Sequence, residues 1–341
     1  MMIPRIINLK LHIISIVSSW FWDVQSLGPD TPDINLHRVS HGGILMIAYL
    51  FPGQGSQARG MGRGLFDEVS EFKSVEHDVD KCLGYSVRQL CLEETGNRLK
   101  ETQYTQPSLY VVNALHYYKA LSLGEKPDVV AGHSVGEYNA LLAANVFDFL
   151  TGLRLVQKRG ELMAKAKNGG MAAVVGLGFD TVRQLIKGNG LETLDVANFN
   201  SPVQTVLSGP TNDINRAGAV FEKAGARLYM PLMVSAAFHS RYMREAADEF
   251  AAFLSPYTFE TPRIPVISNV TGAPYPTSDP TATIKALLVQ QITHPVLWTQ
   301  SIRNMLSRGI TSFKEVGPGT VLTKLAQQIQ QEVESTVGAV R

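Results

Sequence analysis

A compact apolar strand, Asp128-Val129-Val130-Ala131, stops at Gly132, and a helix is expected almost at once, over 137–144. The turn between them reads Gly132-His133-Ser134-Val135-Gly136, a G-x-S-x-G in the strand-to-helix setting that a nucleophile elbow requires. Glycines let the backbone turn sharply without a Cβ clash, which leaves the Ser134 hydroxyl exposed at the end of a strand. The helix behind it offers N–H groups and positive partial charge to a developing oxyanion. The bland alternative is an ordinary turn that happens to hold a serine; the strand and helix on either side favour the nucleophile.

Strands and helices alternate along the rest of the chain. A buried strand over 46–50 runs into the loop Phe51-Pro52-Gly53-Gln54-Gly55-Ser56-Gln57, a helical region covers 65–92, and Gln106-Pro107 introduces a helix over 109–121. Further on come a helix over 241–254, a strand over 265–269, a helix ending near 292 and a strand-turn-helix over 313–331. The pattern predicts an α/β fold with a mainly parallel sheet covered on both faces. Between them, strands at 171–177, 195–199, 204–208 and 227–234 with helices at 180–187 and 212–224 give the order βαββαβ, a ferredoxin-like unit. It is expected as a small subdomain, 169–234, inserted into a large one made of 46–168 and 235–341.

Composition narrows the function. A formal net charge of +1, with no long Lys/Arg run, argues against nucleic acid as a partner. Cys82 and Cys91 cannot build a disulfide framework, and no Cys/His cluster has zinc spacing, so a reducing cytoplasm and no metal are expected. Near the start, Arg5 and Lys10 precede the apolar run Ile13-Ile14-Ser15-Ile16-Val17, which mimics a signal peptide but lacks an A-x-A-like cleavage site. The run is well short of the ~20 apolar residues that span a membrane. Residues 1–45 are read as an over-extended start outside the fold.

A serine hydroxyl needs a base within hydrogen-bond reach. Of the eight histidines, His239 in Ala236-Ala237-Phe238-His239-Ser240 lies where the small subdomain hands the chain back to the large one, and such junctions line clefts. His133 is expected to support the elbow from behind, and His116 and His294 to be core or surface residues. For Arg159, spacing alone leaves a substrate-gripping and a helix-surface role equally open.

Five motifs in order then carry a resemblance: the Phe51–Gln57 loop, Gly132-His133-Ser134-Val135-Gly136-Glu137-Tyr138, Arg154-Leu155-Val156 leading to Arg159-Gly160, Ala237-Phe238-His239-Ser240, and Glu315-Val316-Gly317-Pro318-Gly319. From about 46 to 329 the chain resembles malonyl-CoA:acyl-carrier-protein transacylases, most of all the discrete trans-acting acyltransferases of polyketide synthases. The resemblance implies an α/β-hydrolase-like large subdomain and a monomer that moves malonyl from malonyl-CoA to a carrier-protein thiol, with no cofactor and no membrane. It implies Ser134 as nucleophile, His239 as base, the backbone carbonyl of Gln291 as its orienting group, and the peptide N–H groups of Gln54 and Val135 as oxyanion donors. Arg159 becomes the grip on the malonyl carboxylate, a task suited to a planar, permanently charged guanidinium. Phe238 becomes a steric element favouring malonyl. Ala236, where modular relatives often carry histidine, departs from the pattern and weakens that inference. Asn198 and Asn200 match a cleft-facing loop, with an Asx turn as the alternative, and Asn269 a supporting polar group. Retention of Arg159 argues against a hydrolase for varied acyl chains, and the intact Ser134, His239 and Arg159 argue against a non-catalytic docking module.

Overall fold

The computed structural model describes residues 46–93 and 96–338, so the expectation for 1–45 lies outside it. In chain order the principal elements are β1 (Ile47–Phe51), α1 (Thr102–Ser122), β2 (Val129–Gly132), α2 (Gly136–Ala143), α3 (Phe149–Lys165), β3 (Gly169–Val175), α4 (Phe179–Gly188), β4 (Asp195–Ser201), β5 (Gln204–Pro210), α5 (Thr211–Lys223), β6 (Leu228–Pro231), α6 (Arg244–Leu254), β7 (Val266–Ile267), α7 (Pro280–Thr293), α8 (Trp298–Ser307), β8 (Ser312–Glu315) and α9 (Val321–Gly338).

Strands β7-β2-β1-β8 form one sheet in that order, with every pairing parallel. Side-chain alternation along β1 shows why both faces are covered. Tyr49 and Phe51 join the core built with α1, α2 and α3, whereas Ala48 and Leu50 join the one built with α8 and α9. The second sheet, β4-β5-β3-β6, is antiparallel throughout and packs α4 and α5 over Ala172, Val174 and Leu207. This is the ferredoxin-like order expected for the inserted unit.

Several boundaries differ, each for a local reason. The helix expected from 109 starts at Thr102 and carries Pro107 inside it. Pro107 removes one helical N–H, but Thr105 Oγ1 anchors the first turn by donating to Leu99 O at 2.7 Å and Glu101 O at 3.0 Å. The expected helix over 65–92 breaks into four short ones, with Gly84 ending the third in a left-handed conformation. Pro231, which has no N–H to give the ladder, ends β6 three residues early. Strand β7 is only two residues long because Ser268 turns back to pair with Ala273 and Gly272. Asn198 and Asn200 lie within bulged strand β4, not in a loop.

Edge strand β4 also ties the two sheets together. Phe199 N donates to Val296 O at 2.9 Å, Val296 N to Ala197 O at 2.8 Å, and Thr299 Oγ1 to Phe199 O at 3.0 Å. Trp298, wholly buried, sits in the same junction with its ring 5.4 Å from that of His133. Trp298→Ala is expected to cost about 3–5 kcal/mol of stability, as for large aromatic deletions in cores. Urea denaturation with a loss under about 0.5 kcal/mol, the range of surface substitutions, would contradict this placement.

Candidate active site

Ser134 stands between β2 and α2 with φ of 52°, a left-handed conformation that a non-glycine residue holds only when its surroundings enforce it. Two close approaches enforce it. A Cβ on Gly132 would lie 2.0 Å from the Gly136 carbonyl, and one on Gly53 would lie 2.3 Å from His133 O, so the loop after β1 can press against the elbow only through glycine. Asn269 staples the turn from behind: its Oδ1 accepts from Ser134 N at 2.7 Å and its Nδ2 donates to Gly132 O at 2.6 Å.

His239 also has positive φ, 56°, and is buried. Its Nε2 is 2.8 Å from Ser134 Oγ, and its Nδ1 is 2.8 Å from Gln291 O and 3.2 Å from His294 O. Carbonyl oxygens only accept, so the ring proton belongs on Nδ1 and the Nε2 lone pair faces the serine hydroxyl. Burial, followed by the positive charge of Arg159, lowers the His239 pKa to about 3. The imidazole is therefore held as free base.

Arg159 projects from α3 into the interior and has no solvent exposure. Nη1 donates to Gln106 Oε1 at 2.8 Å, while Nη2 donates to Gln291 Oε1 at 2.8 Å and to Ser134 Oγ at 3.1 Å. Tyr138 lies beneath, its ring centre 5.7 Å from the guanidinium carbon. Among the described residues no carboxylate is within ion-pair distance of it. Burial lowers its pKa from the ordinary value, yet every partner is an acceptor suited to a cation.

The other expected residues fall into place around this trio. Asn113 Nδ2 donates to Pro52 O at 2.9 Å, fixing the loop that carries Gln54. Neither the Gln54 nor the Val135 peptide N–H has an acceptor among the described residues. Phe238 is buried beside His239. Asn200 Oδ1 accepts from His133 Nε2 at 2.9 Å, so it reaches the elbow's support and not Ser134 itself. His294 contributes its carbonyl to His239, a part that its side chain does not foretell. Gln106 and Glu137 were assigned no role from sequence, although polar side chains on wholly buried helix faces are a signal for one. A groove of about 440 Å³ at His239 is lined by Phe179 and Phe199, with Arg183, Arg241 and Arg244 along it and Ser134 not among its lining residues. A hollow of about 510 Å³ across the Phe179–Phe199 pair contains neither Ser134 nor His239.

A serine elbow on a parallel sheet, an imidazole base held by carbonyls and a buried guanidinium define a serine acyl-group enzyme. The chain belongs to the acyl transferase domain family, whose model matches residues 48–340. It is 53% identical over 293 residues to the polyketide biosynthesis malonyl CoA-acyl carrier protein transacylase BaeC of Bacillus velezensis, covering 85% of this chain and 99% of the relative. A counterpart from Bacillus subtilis, PksC, is 51% identical over 85% of this chain and 99% of its own length. The crystal structure of malonyl CoA-acyl carrier protein transacylase from Burkholderia pseudomallei superposes with a TM-score of 0.79 at 46% identity, covering 84% of this chain and 98% of that one.

A depressed histidine pKa favours the neutral ring, so protonation should set in only as pH falls toward about 3. Nitrogen NMR of labelled histidines is expected to find His239 neutral from about pH 8 to about pH 5. A midpoint near the ordinary 6.5 would refute the buried, cation-flanked environment.

Proposed function

We propose that this chain transfers a malonyl group from malonyl-CoA to the phosphopantetheine thiol of an acyl carrier protein, through an ester on Ser134, and so supplies polyketide assembly. The observation that carries the reading is Arg159, a permanent cation wholly buried 3.1 Å from Ser134 Oγ with no carboxylate within ion-pair distance among the described residues. A three-carbon diacid thioester brings the missing partner: its free carboxylate meets the guanidinium while its thioester carbon faces the serine.

In the first half-reaction His239 Nε2 takes the Ser134 proton as Oγ attacks the thioester carbon. Collapse of the adduct breaks the C–S bond, and the imidazolium returns the proton to the departing coenzyme A thiolate. In the second, the carrier thiol gives its proton to His239, its sulfur attacks the ester, and Ser134 leaves with the proton. The Gln54 and Val135 N–H groups receive the oxyanion each time, a contribution of about 2.7–4 kcal/mol per donor. The groove at His239 admits the pantetheine arm, with Arg183 and Arg244 near its phosphates. Phe238 restricts the volume open to branched acyl groups. The thioester brings its own activation, so the reaction calls for no metal or organic cofactor. The free thiols of Cys82 and Cys91 suit a reducing cytoplasm, and no described helix is long and apolar enough to cross a membrane.

Purified protein incubated with labelled malonyl-CoA should carry one label, on Ser134, and pass it to a carrier protein; a wild-type protein left unlabelled at neutral pH would sink the reading. Arg159→Ala should cost malonyl loading about 100-fold or more, the scale of removing one partner of a buried charge pair. Loading from acetyl-CoA should suffer much less, and equal losses would remove Arg159 from substrate selection.

A further inference from the structure

Glu137 follows the elbow directly, is wholly buried, and takes no part in the proton transfers above. Its Oε1 accepts from Tyr275 OH at 2.5 Å and from Asn269 N at 3.3 Å, and its Oε2 accepts from Gln291 Nε2. Among the described residues it has no cation within ion-pair distance. A buried carboxylate without a direct counter-ion is expensive, and burial pushes its pKa up to about 7.

The Gln291 amide explains what this carboxylate does. One end, Oε1, accepts from Arg159 Nη2; the other, Nε2, donates to Ser134 O at 3.1 Å and to Glu137. Turned over, the amide would set N–H groups against a guanidinium and an oxygen against a carbonyl and a carboxylate. Arg159 can only donate, and the Ser134 carbonyl and the Glu137 carboxyl oxygen accept from the other end, so together they leave Gln291 one orientation. The amide also keeps the two charges a side chain apart. A direct ion pair would occupy the guanidinium edge that the substrate needs, whereas a relayed one orients the cation and leaves that edge open.

We infer that Glu137 is a positioning residue which, through the Gln291 amide, holds the Arg159 guanidinium at Ser134 and thereby sets the preference for acyl groups ending in a carboxylate. The inference rests on the malonyl-transfer reading and deepens it.

The test is Glu137→Gln, which keeps the shape, removes the charge and brings N–H groups among Tyr275 OH, Asn269 N and Gln291 Nε2, all of them donors. Ser134 loading is measured with malonyl-CoA and with acetyl-CoA, alone and in a Gln291→Ala background, where the backbone carbonyl that holds His239 remains. Glu137→Gln is expected to lower kcat/KM for malonyl-CoA about 10-fold or more and for acetyl-CoA less than about 3-fold, and to add less than about 2-fold once Gln291 is alanine, as coupling through a shared partner requires. Equal losses on both acyl groups, or full additivity with Gln291→Ala, would overturn it. Tyr275→Phe removes only one donor to Glu137 and should shift the malonyl-to-acetyl ratio the same way, which keeps the test valid even if Glu137→Gln folds poorly. If wild-type protein fails to load malonyl at all, the parent reading falls; if it loads and the ratio stays constant in both variants, this inference alone falls.

Discussion

A guanidinium wholly buried and, among the described residues, beyond ion-pair distance of any carboxylate is the feature around which the molecule is arranged. Desolvating such a cation costs several kcal/mol, and the protein offsets this with amide and hydroxyl oxygens drawn from distant elements: Gln106 on α1, Gln291 on α7 and Ser134 at the elbow. None of these neutralises the charge. A carboxylate arriving with substrate does, which makes an acidic acyl group the natural completion of the site. The same positive charge helps keep His239 unprotonated and so free to accept a proton, while weakening the imidazole as a base.

Both members of the serine–histidine pair hold strained backbone. Ser134 and His239 both adopt left-handed backbone conformations, and both are locked from outside, Ser134 by the Asn269 side chain and His239 by the carbonyls of Gln291 and His294. The pair thus already meets at 2.8 Å within the fold. Such preorganisation lowers the cost of reaching the transition state.

What could be read along the chain was what is local. The elbow is legible because strand, glycines and helix follow one another without interruption, and the βαββαβ order because each of its elements carries its own periodicity. Arg159 looked ambiguous on spacing, although Leu155, Val156, Leu162 and Met163 form a buried stripe on α3 that encloses it, so helical periodicity alone pointed inward. Pro107 misled because a proline normally marks a helix start, and here the preceding turn is anchored by a threonine. The helix at Trp298–Ser307 was not delimited at all. The relay from Arg159 through Gln291 to Glu137 is spread over 132 and 154 residues of separation, and no pattern in the chain announces it.

The backbone bonds joining β4 to the Val296 segment have a consequence for traffic through the enzyme. A hinge between the two lobes would have to tear a miniature ladder and leave its donors unpaired, so these bonds fasten the β4 edge to the Val296 segment. The groove lined by Phe179 and Phe199 lies on that same fastened edge, so whatever enters it meets a wall that the fold itself holds in place.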